Sequence, residues 1–120
     1  MQVSAKSLSK KQTDVLINHF ATAICEMNKM NHALGFIEGF FTSTEQVVLA
    51  KRLAIGLMLQ KKMAYEDIKK NLNVSSATIS GVSVMMKTPG FKLAIEKIAE
   101  EEWAESQLSK VTKLFRKLKL

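Results

Sequence analysis

Hydrophobic positions recur along this chain at intervals of three and four residues, and they nowhere alternate at period two for long. That spacing lines apolar side chains along one face of a helix, so an all-α chain is expected. The opening stretch "LSKKQTDVLINHFATAICEMNKMNHALGFIEGFF" is apolar at Leu8, Val15, Leu16, Ile24, Met27, Met30 and Leu34. The spacing predicts a long helix that buries more than one side, a break at Gly35 and a short further turn through Phe41. Such a helix is more apolar than a surface helix requires. Burial between two chains would account for it, as would a thick monomeric core.

Next comes "TSTEQVVLAKRLAIGLMLQKK", which opens on a helix-start signal. Thr42, Ser43 or Thr44 can cap, and Glu45 falls in the first turn, where a carboxylate meets the positive end of the helix dipole. Val48, Leu49, Leu53, Leu57 and Met58 predict the core stripe, and Lys61 and Lys62 suit the negative end. Met63 and Ala64 form a short link. Beyond the breaker triplet Thr88-Pro89-Gly90, a final helix is expected from about Phe91 to the C-terminus.

Between the link and the breaker lies "YEDIKKNLNVSSATISGVSVMMK", residues 65–87. Tyr65, Ile68 and Leu72 predict one face of a two-turn helix. Asn73 follows where the chain must turn sharply, and Asn is the best substitute for Gly in a left-handed conformation. Val74 can plug the space between two helices, Ser75 can cap the second one, and Ile79, Val82 and Met86 can hold it to the core. Ser76, Ala77, Thr78, Ser80 and Ser83 are left on or near its outer side. Short side chains let a helix backbone approach base edges closely, and hydroxyls can bond bases or phosphates. This is the pattern of a helix-turn-helix, whose second helix enters the major groove N-terminus first. An ordinary corner between two helices would share the Ser/Thr-rich start.

Charge adds to the picture through its placement. The net charge is +7, of which residues 44–87 supply seven basic and three acidic groups. From Ile68 to Ile95 there is no Asp or Glu, while Lys69, Lys70, Lys87 and Lys92 are present. An acid-free basic segment can lie against a polyanion without like-charge repulsion, so Lys69, Lys70 and Lys87 are candidate phosphate contacts. In the last helix, which holds "KVTKLFRKLKL", Leu108, Val111, Leu114 or Phe115 and Leu118 share one face, with Lys110, Lys113, Arg116, Lys117 and Lys119 beside them. It can pack on a dimer, touch DNA or lie on a membrane surface. The acidic "EKIAEEEWAE" upstream argues against a membrane along the whole helix.

Composition narrows the class. A chain of 120 residues is one domain's worth, 1–120, divided on this reading into helices for dimerisation (1–41), the helix-turn-helix (65–87) and a basic C-terminal helix (91–120). A single Cys25 and two histidines, His19 and His32, provide no disulfide and no zinc ligand set. No apolar run is long enough for a membrane span, and no leader core opens the chain, so the cytoplasm is the expected compartment. The seven methionines and Trp103 read as packing residues. No nucleophile–base pair, paired carboxylates or phosphate-cradling Gly loop is visible, so an enzyme is not expected.

At this point a resemblance becomes specific. "FFTSTEQVVLAKRLAIGLML" and "YEDIKKNLNVSSATISGVS" together resemble the Trp repressor family, including its broader Trp-repressor-like branch. The matching order is the helix start at Phe41–Glu45, then "LAKRLAI", then "LNVSSATIS", within about residues 36–95. The resemblance implies an all-α fold of five to six helices, an intertwined homodimer built through the N-terminal helices, and binding to palindromic duplex DNA. Carried over by position, the base-facing residues are Ser76, Ala77, Thr78 and Ser80, and a backbone-contacting lysine is Lys69. The tryptophan repressors proper hold L-tryptophan between two arginines. One, on the carboxylate, matches Arg52; the other, beside the indole, falls on Gly81, which offers neither a stacking surface nor a charge. The expectation is therefore a homodimeric, sequence-specific transcriptional regulator of the repressor kind, with no tryptophan or other amino-acid cofactor. The competing class is a helical protein-interaction module with an incidental basic surface.

Overall fold

The computed structural model describes residues 7–100, 110–114 and 116. The elements are α1 (Lys10–Glu26), α2 (Met30–Phe40), α3 (Ser43–Gln60), α4 (Tyr65–Leu72), α5 (Ser76–Met85) and α6 (Pro89–Ala99). Residues 110–114 and 116 are helical as well, and no strand occurs among the described residues. The fold is all-α. The chain divides into two compact units, residues 1–46 and 47–120.

In the first unit, Ser9 caps α1 reciprocally with Gln12. The Ser9 Oγ accepts from the Gln12 N–H at 3.0 Å, and the Gln12 Oε1 accepts from the Ser9 N–H at 2.9 Å. The expected break at Gly35 does not occur. The chain leaves the helix at Met27 (φ −86°, ψ 67°), and Gly35 lies inside α2 with nothing within 4 Å of the Cβ it lacks. A single Gly inside a helix costs only about 1 kcal/mol, whereas Asn, the type at position 28, is a poorer helix former than most and suits an interruption. Four phenylalanines hold α1 to α2. Phe20 stacks on Phe40 at 5.2 Å, Phe36 stacks on Phe40 at 5.0 Å, and Phe41 meets all three edge-on at 5.4–6.5 Å. Even so, neither α1 nor α2 contains a buried residue. Leu16, Ile17, Ile24, Met30, Leu34 and Phe40 each expose more than half of their surface.

Thr42 caps α3 with the same reciprocal geometry: the Glu45 N–H donates to the Thr42 Oγ1 at 3.1 Å, and the Glu45 Oε1 accepts from the Thr42 N–H at 2.8 Å. That backbone hydrogen bond holds the Glu45 carboxyl below its ordinary pKa.

The core of the second unit is Ile55, Met58, Ile68, Leu72, Ile79 and Val82, with Phe91 and Met86 packed against it. The expected α3 stripe is only partly buried. Met58 is fully covered, but Val48 and Leu49 are exposed, and the buried partners of Met58 are Ile55 and Gly56. Val48 lines the same cleft as Gly81, which has no side chain to fill it. Gly56 is required for packing. A Cβ there would lie 2.6 Å from Phe91 Cε1 and 2.9 Å from Ile95 Cδ1, so α6 approaches α3 at this point.

The end of α3 is a Schellman turn. Lys62 takes a left-handed conformation (φ 61°), its N–H donates to the Leu59 carbonyl at 2.9 Å, and the Met63 N–H donates to the Met58 carbonyl at 3.0 Å. α6 begins at Pro89 rather than at Phe91, because a proline at the first helical position gives up an N–H that would have no partner there. Of the expected final helix, residues 101–109, 115 and 117–120 lie outside the described ones; Trp103, Leu108, Phe115 and Leu118 fall among them. Among residues 110–114 and 116, Thr112 is buried, while Val111 and Leu114 are exposed in the single chain.

Candidate nucleic-acid interface

The geometry of α4 and α5 follows from a few residues. Ile68 and Leu72 bury one face of α4; Tyr65, expected on that face, is exposed at the first helical position. Asn73 ends the helix in the left-handed region (φ 53°, ψ 57°), and its N–H donates to the Lys69 carbonyl at 2.8 Å. A left-handed residue costs roughly 1–2 kcal/mol for a residue with a Cβ, least for Asn, whose short polar side chain can bond locally. Val74 is half-buried beneath the turn. Ser75 then caps α5: its Oγ accepts from the Thr78 N–H at 3.1 Å and lies 3.0 Å from the Thr78 hydroxyl.

From that cap, Ile79 and Val82 anchor α5 in the core. Ser75, Ser76, Ala77, Thr78 and Ser80 are all exposed, and Ser83 is half-buried. The outer face of α5 thus consists of short side chains at the helix N-terminus, where free N–H groups favour negative charge. No charged residue occurs anywhere in α5. Lys70 and Lys87 are exposed, whereas Lys69 is half-buried and lies 3.6 Å from Glu66. This ion pair was not anticipated from the sequence, although Glu66 and Lys69 stand three residues apart on a helix, a spacing that brings side chains together.

The structure brings Arg52 and Gly81 to one cleft of about 400 Å³, lined also by Val48, Lys51, Ile55, Val74, Thr78, Val82 and Met85. Its walls come from two helices at the same spacing: 48, 51, 52 and 55 on α3, and 78, 81, 82 and 85 on α5. Lys51 and Met85 were not singled out in the sequence; this shared spacing is the signal that could have found them. A ligand clamped by Arg52 and a second arginine does not fit these residues, because position 81 carries no side chain. Cys25 is exposed, and no group of His, Cys, Asp or Glu able to hold a metal ion occurs among the described residues. No helix among the described residues is long and apolar enough to cross a membrane.

No curated protein and no solved structure gives a significant match to the chain. The model of the Trp repressor protein family matches residues 16–99, well over half of the length, and spans α2 to α6 and most of α1. That family comprises DNA-binding helix-turn-helix regulators of transcription rather than enzymes. With the match running through Asn73, the Ser75 cap and the exposed start of α5, the chain belongs to the Trp repressor family.

Proposed function

We propose that this protein is a sequence-specific, double-stranded-DNA-binding repressor of transcription. It acts in the cytoplasm as a homodimer, each subunit placing the N-terminal part of α5 in a major groove. The observation that carries this reading is the turn itself. Left-handed Asn73 and the Ser75 cap present an α5 start made of Ser76, Ala77, Thr78 and Ser80, all short and exposed. Those four side chains read base edges, while Lys69, Lys70 and Lys87 bind phosphates on either side. Lys69 gives up its pairing with Glu66 to do so; with Glu66 75% exposed, such a pair is worth less than about 1 kcal/mol.

The dimer reading is supported by the first unit. Its Leu16, Ile17, Ile24, Met30 and Leu34 are large apolar side chains more than half exposed on α1 and α2, and a second copy would cover them. The regulator does not respond to L-tryptophan, since Gly81 leaves the clamp with only Arg52.

Titration of duplex DNA at rising salt tests the reading. Tight binding that falls steeply with salt, with Thr78→Ala relaxing sequence preference and Lys69→Ala lowering the salt slope by about 0.9 for each subunit engaged, supports it. Binding that ignores salt, or that survives both substitutions together, points instead to a protein-interaction module.

A further inference from the structure

Neutralisation of phosphates by Lys and Arg supplies a large share of the attraction between a protein and a duplex. The recognition helix α5 has neither, and of the lysines beside it Lys69 is already paired with Glu66. A second set of cations lies beyond the family-matched span, which ends at residue 99. After Glu105 the chain holds basic residues and no acidic one. In the described part of this segment, Lys110, Lys113 and Arg116 are helical and exposed, and Thr112 between them is only 9% exposed. Residues three apart on a helix share a face. The three cations therefore stand on one side of a helical turn whose Thr112 is covered by protein.

We propose that this turn is a second DNA contact, in which Lys110, Lys113 and Arg116 grip the phosphate backbone outside the site read by α5. The proposal rests on the DNA-binding reading above. Duplex DNA fits the turn better than a lipid surface does. The reading above already brings a polyanion to this unit, and the burial of Thr112 shows the turn seated on the protein rather than free to lie in a bilayer. The arm adds affinity without adding sequence preference, because phosphates are the same at every base pair.

The test compares the full-length protein with a Lys110→Gln, Lys113→Gln, Arg116→Gln variant. All three residues are exposed, so the melting temperature is expected to stay unchanged. Each protein is titrated, between about 50 and 200 mM salt, against mixed-sequence duplex DNA and against duplexes enriched from a random pool. The expected result is a salt slope lower by roughly 0.9 for each phosphate that the arm no longer neutralises, so by about two to three for each arm engaged. Affinity for both kinds of duplex falls by the same factor, leaving their ratio intact. An unchanged slope overturns the proposal even if the wild type selects a DNA site. A lowered slope sustains it even if no site is selected, in which case the reading by α5 fails alone. Binding to phosphatidylserine vesicles that disappears in the variant, with the DNA slope unchanged, overturns it in favour of a membrane-binding arm.

Discussion

Arg52 on α3 and Gly81 on α5 line the same cleft, about 400 Å³ in volume. Of the two positions that the resemblance assigns to an amino-acid clamp, one carries a guanidinium and the other no side chain. The cleft can offer a carboxylate the Arg52 guanidinium, but nothing at position 81 can lie over an indole ring. Calorimetry with L-tryptophan is expected to give no saturable heat with the wild-type protein. Gly81→Arg, which meets nothing within 4 Å at its Cβ, is expected to fold and to gain binding. Saturable heat from the wild type would show that the clamp is built in some other way.

Gly56 in α3 and Gly81 in α5 should respond to the same substitution with opposite signs. Gly81→Ala adds a methyl group to open space and removes the backbone-entropy cost of a helical glycine, so a gain of up to about 1 kcal/mol is expected. Gly56→Ala drives a Cβ into Phe91 and Ile95, and a loss of roughly 1–3 kcal/mol is expected as α6 is pushed off α3. Thermal melts of the two variants check this. A change of the same sign in both would contradict the packing described.

The exposed apolar side chains of α1 predict a self-association that charge can abolish. Ile17→Glu combined with Ile24→Glu places carboxylates at positions that are 58% and 51% exposed in the single chain, so neither disturbs a buried neighbour within it. Sedimentation is expected to show a dimer for the wild type and dissociation or unfolding for the variant. A wild-type monomer at micromolar concentration would remove the two-fold arrangement from the account.

The helix-turn-helix was legible because its determinants are local. Asn73 must be left-handed, Ser75 must reach the Thr78 N–H three residues on, and Ile79 and Val82 share a face by helical spacing alone. The α1–α2 boundary was harder to place. Gly35 looked like a breaker, yet a helix tolerates one glycine, and the interruption at Met27–Lys29 carries no proline or glycine. The burial of α3 was misplaced for a different reason. Which of its apolar residues are covered depends on α5 and α6: Gly56 is buried because α6 approaches there, and Val48 is open because Gly81 leaves a gap. Such long-range packing leaves no periodic trace in the sequence.

The central claim is that paired α5 helices read duplex DNA, and selection of bound duplexes from a random pool tests it most directly. The expected result is enrichment of an inverted repeat whose half-sites are centred about one helical turn, roughly 10 base pairs, apart. Thr78→Ala is expected to broaden the preference within each half-site. Recovery of unenriched sequence, or of a single unrepeated site indifferent to Thr78, would contradict it.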